Sequence, residues 1–253
     1  MRVLVTRPEG EARRWVEQLR RRGLDARALP LIEIAPVDGA VAPAWRQLDR
    51  FRAAMFVSGN AVRHFFGQKP PSALWPAQTR AWSPGAGTRE VLLAAGVDAS
   101  LVDAPPEAAQ SDSESLWQQV ANQVAAGDRV LIVRGGDAQG ASSGRDWLAD
   151  QLAAAGVQVE FVVAYRRQPP RLSEEQLAQA KQAAAANGCV WLFSSSQAIA
   201  HLQGLLPGQA WAQARAVATH PRIAKAAREA GFGVVCESRP SLDAIAAALE
   251  SFR

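Results

Sequence analysis

Phe56-Val57-Ser58-Gly59-Asn60-Ala61-Val62 recurs later in the chain as Phe193-Ser194-Ser195-Ser196-Gln197-Ala198-Ile199. Each copy begins in an apolar run, Ala53-Ala54-Met55-Phe56-Val57 or Val190-Trp191-Leu192-Phe193. Each then passes through small hydroxyl and amide residues into a helical pattern. A buried strand ends and a helix begins in this way, because Ser and Asn oxygens accept from the first unpaired amides of the helix. About 25 to 30 residues further on, each copy has a second small-residue turn that opens an Ala-rich helix. These turns are Ser83-Pro84-Gly85-Ala86-Gly87-Thr88 and Thr219-His220-Pro221-Arg222. Both helices end in Ala-Gly, at Ala95-Gly96 and Ala230-Gly231. The chain therefore reads as two similar halves.

The same alternation extends in both directions. Val3-Leu4-Val5 precedes a helical stretch from Glu9 to Arg22 that Gly23 stops. Ala26 to Val37 is extended, with Pro30 and Pro36 as punctuation. Further apolar runs are Arg129-Val130-Leu131-Ile132-Val133, Val157 to Tyr165 and Ala216-Val217-Ala218, and Gly156 closes another Ala-rich helix. Strands alternating with helices predict an α/β protein whose parallel sheets are covered on both faces. The extended segments 29–37 and 159–168 read as linkers. If they pair, residues 38–165 form a domain inserted into a discontinuous one made of 1–37 and 166–253. On that division the discontinuous domain carries 18 basic and 11 acidic residues, net +7, and the inserted one 10 and 13, net −3. An anionic ligand is then drawn to the former.

Composition narrows the function classes. At 253 residues, 48% apolar and 21% charged, the chain has the make-up of a globular protein with room for two cores. No run of 18 apolar residues predicts a membrane span, and Met1 to Arg7 lacks a signal-peptide core, so a cytoplasmic protein is expected. Two cysteines, Cys189 and Cys236, give neither a disulfide framework nor a Cys-rich metal site, and both are expected to be buried thiols. Of 28 basic residues only Lys69, Lys181 and Lys225 are Lys. GC-rich coding, which favours Arg and Ala, accounts for most of the Arg excess; the functional reading is that Arg forks suit carboxylate or phosphate partners. Without a long basic run or a nucleic-acid-binding motif, no nucleic-acid partner is expected.

Standard catalytic motifs are absent: there is no dinucleotide fingerprint, P-loop or nucleophile elbow. His64, His201 and His220 lack metal-ligand spacing, and His64 and His201 read as partly exposed helix residues. Neither a cofactor nor a metal is expected. The sequence suits an enzyme that works by binding and orientation, or a two-lobed receptor for an anionic small molecule. What remains is a set of polar turns beyond strand ends: Thr6-Arg7-Pro8, Ser58-Gly59-Asn60, Gly85-Ala86-Gly87-Thr88, Arg134-Gly135-Gly136, Ser194-Ser195-Ser196 and Thr219-His220-Pro221-Arg222. Helix capping explains any one of them. Six together predict ligand binding at the carboxyl ends of strands, in a cleft shared by the domains. Tyr165, the one tyrosine, ends the second linker and is a candidate hydrogen-bond donor.

These motifs resemble the uroporphyrinogen-III synthase family. The resemblance rests on Val3-Leu4-Val5-Thr6-Arg7-Pro8, Phe56 to Val62, Val133-Arg134-Gly135-Gly136, Tyr165-Arg166-Arg167, Phe193 to Ala198, and Ala218-Thr219-His220-Pro221-Arg222-Ile223-Ala224, in the family's order. It implies two flavodoxin-like α/β domains joined by a two-stranded β linker, with the active site between them. The implied reaction is closure of hydroxymethylbilane, a linear tetrapyrrole with eight carboxylates, to uroporphyrinogen III with loss of water and inversion of ring D. No cofactor or metal is implied. Tyr165 would help the hydroxyl leave. Ser58, Asn60, Thr88, Gly135, Ser195, Ser196 and Thr219, with Arg7, Arg134 and Arg222, would hold the substrate. A monomer is expected, in transient contact with the preceding enzyme of the pathway. The chain departs from the family pattern at Val57, where Thr is common, and in the longer segment Asp137 to Gly144 before Arg145.

Overall fold

A computed structural model of the chain describes residues 1–106, 112–138, 147–185 and 188–252. In chain order it contains β1 (Arg2–Val5), α1 (Glu9–Arg21), β2 (Asp25–Ala28), β3 (Glu33–Pro36), α2 (Ala42–Arg46), β4 (Ala53–Phe56), α3 (Gly59–Gly67), β5 (Arg80–Trp82) and α4 (Ala86–Ala94). Next come β6 (Val102–Asp103), α5 (Ser113–Val120), β7 (Arg129–Gly136), α6 (Trp147–Ala154), β8 (Gln158–Gln168) and α7 (Glu174–Ala185). The chain closes with β9 (Cys189–Phe193), α8 (Ser196–Leu205), β10 (Arg215–Ala218), α9 (Pro221–Glu229), β11 (Val234–Glu237) and α10 (Leu242–Glu250). Two compact units result, Met1–Glu33 with Gln168–Arg253, and Ile34–Arg167. Residues 34–37, Arg166 and Arg167 thus fall in the inserted unit. The two units carry net charges of +5 (16 basic, 11 acidic) and −1 (12 basic, 13 acidic).

The discontinuous unit holds a five-stranded sheet in the order β2-β1-β9-β10-β11 with parallel pairings. Numbered within the unit this is 2-1-3-4-5, the flavodoxin-like order. The inserted unit holds β3-β8-β7-β4-β5-β6. Its pairings from β8 through β6 are parallel, and β3 is added at the β8 edge. Both chain crossings between the units fall on these neighbours, β3 and β8. Leaving out β3 and numbering β4 to β8 in chain order, the inserted unit's order is 5-4-1-2-3, which differs from that of its companion, yet these five strands correspond one for one with the five of the other sheet. Setting β8-β7 against β2-β1 matches β4-β5-β6 with β9-β10-β11. Helix α6 then matches α1, and α3 and α4 match α8 and α9. The two units share one topology with the chain cut at different places. The two-strand block precedes the three-strand block in the discontinuous unit and follows it in the inserted one, so the repeat is in register along the sequence only within a block, as from β4 to β6 and from β9 to β11.

Strand period two divides each core between the faces of its sheet. In the discontinuous unit, Val3, Val5, Val190, Leu192 and Val217 pack against Ala12, Val16 and Leu19 of α1 and Ile245 and Leu249 of α10. Among their strand neighbours, Trp191 and Phe193 instead belong to an aromatic cluster with Trp211 and Phe232. In the inserted unit, Ala54, Phe56, Leu131 and Val133 meet Ala61, Val62 and Phe65 of α3 together with Trp45. Ala53, Met55, Val130 and Ile132 meet α5 and α6 through Leu116, Val120, Leu148 and Leu152. Burying each large apolar side chain is worth about 1.5–3 kcal/mol, so both sheets need helices on both sides. Gly23, Gly96, Gly156 and Gly231 follow helix ends with φ between 75° and 95°, a left-handed backbone that glycine adopts without a Cβ penalty.

Strands β5, β6 and β11 are not called by the sequence reading. β5 and β6 have three and two residues, too short to show a period. The extended run from Ala26 to Val37 divides around Pro30 into β2 and β3, which belong to different sheets. The two cysteines are half-buried rather than buried. Cys189 opens β9, and Cys236 lies on the edge strand β11, so neither is enclosed on all sides.

Candidate functional site

Five of the polar segments are turns that follow strands, whereas Arg134-Gly135-Gly136, expected as a turn, is the last part of β7 itself, held in the ladder by pairing with β8; all six lie at carboxyl ends of strands, three in each unit. β1, β9 and β10 are consecutive neighbours in one sheet, and so are β7, β4 and β5 in the other. Parallel strands point the same way, so each trio places its turns along a single sheet edge. The correspondence of the units also pairs the turns. Thr6-Arg7 answers Arg134-Gly135, Ser58 answers Ser195, and the turn at Gly85 answers the turn at Thr219. The chain reverses its direction of travel across each sheet between β1 and β9 and between β7 and β4, where α/β sheets open a ligand crevice.

In the discontinuous unit Thr6 is buried, and its Oγ1 donates to the Leu192 carbonyl at 2.7 Å, tying β1 to β9. Arg7 lies over the Trp15 ring at 4.5 Å and donates to Glu11 Oε2 at 3.3 Å. Burial pushes its guanidinium below the ordinary value, with Glu11 acting in the opposite direction. The Arg7 Nε and the Ser196 Oγ are buried atoms with no hydrogen-bond partner among the described residues. Ser195 caps α8 by accepting from Gln197 N at 3.2 Å. The Thr219 amide donates to the Phe193 carbonyl. His220 caps α9 through Nδ1, which accepts from the Arg222 amide at 3.1 Å, and the Arg222 residue is exposed.

In the inserted unit Ser58 caps α3. Its Oγ accepts from Ala61 N at 3.3 Å and lies 3.2 Å from the Tyr165 hydroxyl. Asn60 Oδ1 accepts from Arg63 Nη1 at 3.0 Å. The Gly85 turn is closed by Ser83, whose Oγ donates to the Gly85 carbonyl at 2.7 Å, and Thr88 is buried in the first turn of α4. That helix has no side-chain cap; its Thr88 amide turns back to the Gly85 carbonyl at 3.2 Å, and the amides ahead of it in the first turn lack an intrahelical acceptor. Arg134 is buried with its guanidinium 4.6 Å over Phe161.

Tyr165 is fully buried. A register shift between Arg134 and Gly135 pairs Arg134 with Val163 but Gly135 with Tyr165. The extra residue, Ala164, is a β-bulge that turns two successive residues inward. The Tyr165 ring then lies against Gly135 so closely that a Cβ there would overlap it. His64 stacks on the ring at 5.6 Å, and Arg167 Nη2 donates to the phenol oxygen at 3.2 Å. Burial, aided by the Arg63 charge, lowers the His64 pKa.

The structure thus joins Ser58, Gly135 and Tyr165 into one contact set and adds Arg167 and His64, which the sequence reading did not select. Arg167 had a readable signal, since i and i+2 share a strand face. His64 had none, because its approach to Tyr165 depends on how α3 packs. Residues 139–146, including Arg145 and most of the long segment after Gly136, lie outside the described residues. Among the described residues no group of three or more His, Cys, Asp or Glu is placed to hold a metal. No helix among them is long and apolar enough to cross a membrane.

Comparison with known proteins gives a consistent answer. The family model described as uroporphyrinogen-III synthase HemD matches residues 13–247. A uroporphyrinogen-III synthase of Chlorobaculum parvum is 29% identical over 200 residues, covering 78% of this chain and 76% of that protein. One of Escherichia coli is 28% identical over 239 residues, covering 92% of each. Among solved structures, the uroporphyrinogen-III synthetase of Helicobacter pylori aligns over the whole of both chains, with a TM-score of 0.56 at 15% identity. A mutant uroporphyrinogen III synthase of Thermus thermophilus aligns over 100% of this chain and 97% of its own, with a TM-score of 0.52 at 17% identity. At those identities the structural likeness speaks for the fold. The family model spans nearly the entire sequence, including every strand-end turn from Ser58 onward and the bulged strand bearing Tyr165, and by that match the chain belongs to the uroporphyrinogen-III synthase family.

Proposed function

We propose that the chain closes hydroxymethylbilane to uroporphyrinogen III with loss of water and inversion of ring D. The observation that carries this reading is the family match over residues 13–247. The sheet edges support it chemically. Eight carboxylates need many donors, and the two trios of turns offer hydroxyls, uncapped helix amides and Arg side chains.

Reactivity resides in the substrate. The lone pair of the ring A pyrrole nitrogen expels the hydroxymethyl oxygen, which leaves as water once it receives a proton. The resulting azafulvenium is attacked by the substituted carbon of ring D. A spiro pyrrolenine forms, fragments and recloses with ring D reversed, and loss of a proton restores the aromatic ring. The same cation can also close without inversion, so the protein's task is to hold the chain in the inverting geometry and support transient positive charge. A hundredfold preference needs only about 2.7 kcal/mol between two barriers. Ser58, Asn60, Thr88, Ser195, Ser196 and Thr219, the backbone at Gly135, and Arg7, Arg134 and Arg222 serve as carboxylate partners in this reading. Tyr165, fully buried, supports donation to the departing oxygen from behind Ser58, whose Oγ lies 3.2 Å from its hydroxyl.

Incubating the protein with freshly prepared hydroxymethylbilane and separating the product isomers tests the proposal. The type III isomer is expected in excess. The type I isomer alone, at the spontaneous rate, would reduce the protein to a binding module and overturn it.

A further inference from the structure

The phenol of Tyr165 has no route to solvent, since the residue is fully buried. Among the described residues two groups share its oxygen, Arg167 Nη2 and Ser58 Oγ, each at 3.2 Å. A guanidinium can only donate. The phenol therefore accepts from Arg167, and its own proton needs an acceptor. If Ser58 donated to Tyr165, the phenol O–H would be left buried with no acceptor among the described residues, a costly arrangement that folded proteins avoid. Hence Tyr165 donates to Ser58. Ser58 Oγ already accepts from the Ala61 amide at 3.3 Å. Its two acceptor positions are then filled from inside the protein, and the one hydrogen it can still place is its own. Ser58 is half-buried at the carboxyl end of β4, so that hydrogen is within reach of a ligand at this sheet edge.

We infer that Ser58 is the hydrogen-bond donor that meets the substrate, with Tyr165 behind it and Arg167 as the positioning residue that fixes the direction of the chain from guanidinium to phenol to serine. This inference rests on the proposed activity for the identity of the ligand, an oxygen of the linear tetrapyrrole. The polarity itself belongs to the ligand-free protein. The bulge at Ala164 and the bare backbone of Gly135 bring the phenol into line.

Tyr165 is the sole tyrosine, so ultraviolet resonance Raman spectra of the full chain report this phenol alone, and the tyrosine Fermi doublet distinguishes a donor from an acceptor. The ligand-free protein is expected to show a phenol that both donates and accepts. Arg167→Met should shift the doublet to donor only, and Ser58→Ala to acceptor only. An acceptor-only phenol in the parent protein, or an unchanged doublet in Ser58→Ala, would overturn the assignment. In turnover, Ser58→Ala and Tyr165→Phe should each slow kcat by about a hundredfold, the lower end of what positioned proton donation contributes. The double variant should be no slower than the worse single one, because both changes break one chain. Multiplied losses would refute the coupling. Arg167→Met should lower kcat by about 2- to 10-fold, the range of one hydrogen bond, with KM unchanged. A raised KM at constant kcat would make Arg167 a carboxylate contact instead. If Arg167→Met does not fold, Arg167→Gln, which retains a donor of shorter reach, serves for the same spectra. A protein yielding only type I isomer would defeat the activity and leave the spectroscopic result standing; the reverse outcome would defeat this inference alone.

Discussion

Replacing Gly135 by Ala adds one methyl group at the point where the Tyr165 ring crosses the backbone. The new Cβ would lie 2.5 Å from Cε2 and 2.8 Å from the phenol oxygen, with Cζ closer still. Carbon atoms pack at about 3.5–4.0 Å, so the ring must move by roughly 1 Å. It has nowhere to go, because Tyr165 is fully buried in the core with Phe56, Phe65 and Val133. Overpacking of this kind costs about 1–3 kcal/mol. Pulling the phenol from Ser58 and Arg167 adds about 1 kcal/mol. A total of about 2–4 kcal/mol corresponds to a fall of about 4–16 °C in the melting temperature of a chain this long. Thermal unfolding followed by near-ultraviolet circular dichroism measures it. The control is a cycle with Tyr165→Leu, on which background Gly135→Ala should cost almost nothing, because the offending ring atoms are gone. A Gly135→Ala protein that melts with the parent, or one equally destabilised on the Tyr165→Leu background, would refute the reasoning.

Three further outcomes are expected. Thr6→Val keeps the shape but loses the 2.7 Å bond to the Leu192 carbonyl, and urea unfolding should show a loss of about 1 kcal/mol. Asp103→Asn breaks the two-pronged pair with Arg80, in which Arg80 Nη2 lies 2.7 Å from Oδ1. The pair holds β5 to β6, and since it is partly exposed the loss should be about 1 kcal/mol by the same assay. The third concerns pH. His64 resists protonation in the folded chain, chiefly through burial and then through Arg63, whereas the unfolded chain takes up the proton near pH 6.5. The unfolded state then binds more protons, so stability falls as pH drops below about 7 and is regained above it. Urea midpoints at pH 7.5 and 5.5 should separate more in the parent protein than in His64→Gln; equal separations would refute the contribution.

The local layer of the fold was legible because its causes are local. Ser58 and Ser195 cap helices with their own side chains, and Gly23, Gly96, Gly156 and Gly231 end helices through their own backbone freedom. Such signals lie within a few residues of one another, so composition and spacing reveal them. Short strands such as β6, with two residues, are held mainly by their sheet neighbours and leave little pattern behind.

By itself the sequence determined the alternation of strand and helix, the polar turns and the ordered motifs that resemble one family. Tertiary structure decided which turns share a sheet edge, since strand order is a property of pairing across the chain. It also decided the state of Tyr165. A bulge is a mismatch between two strands, visible only when β7 and β8 are set side by side. That mismatch carries the lone tyrosine inward onto a glycine, against His64 and between Ser58 and Arg167. Those partners are separated from it by as few as 2 and as many as 107 residues, and long-range packing chose them.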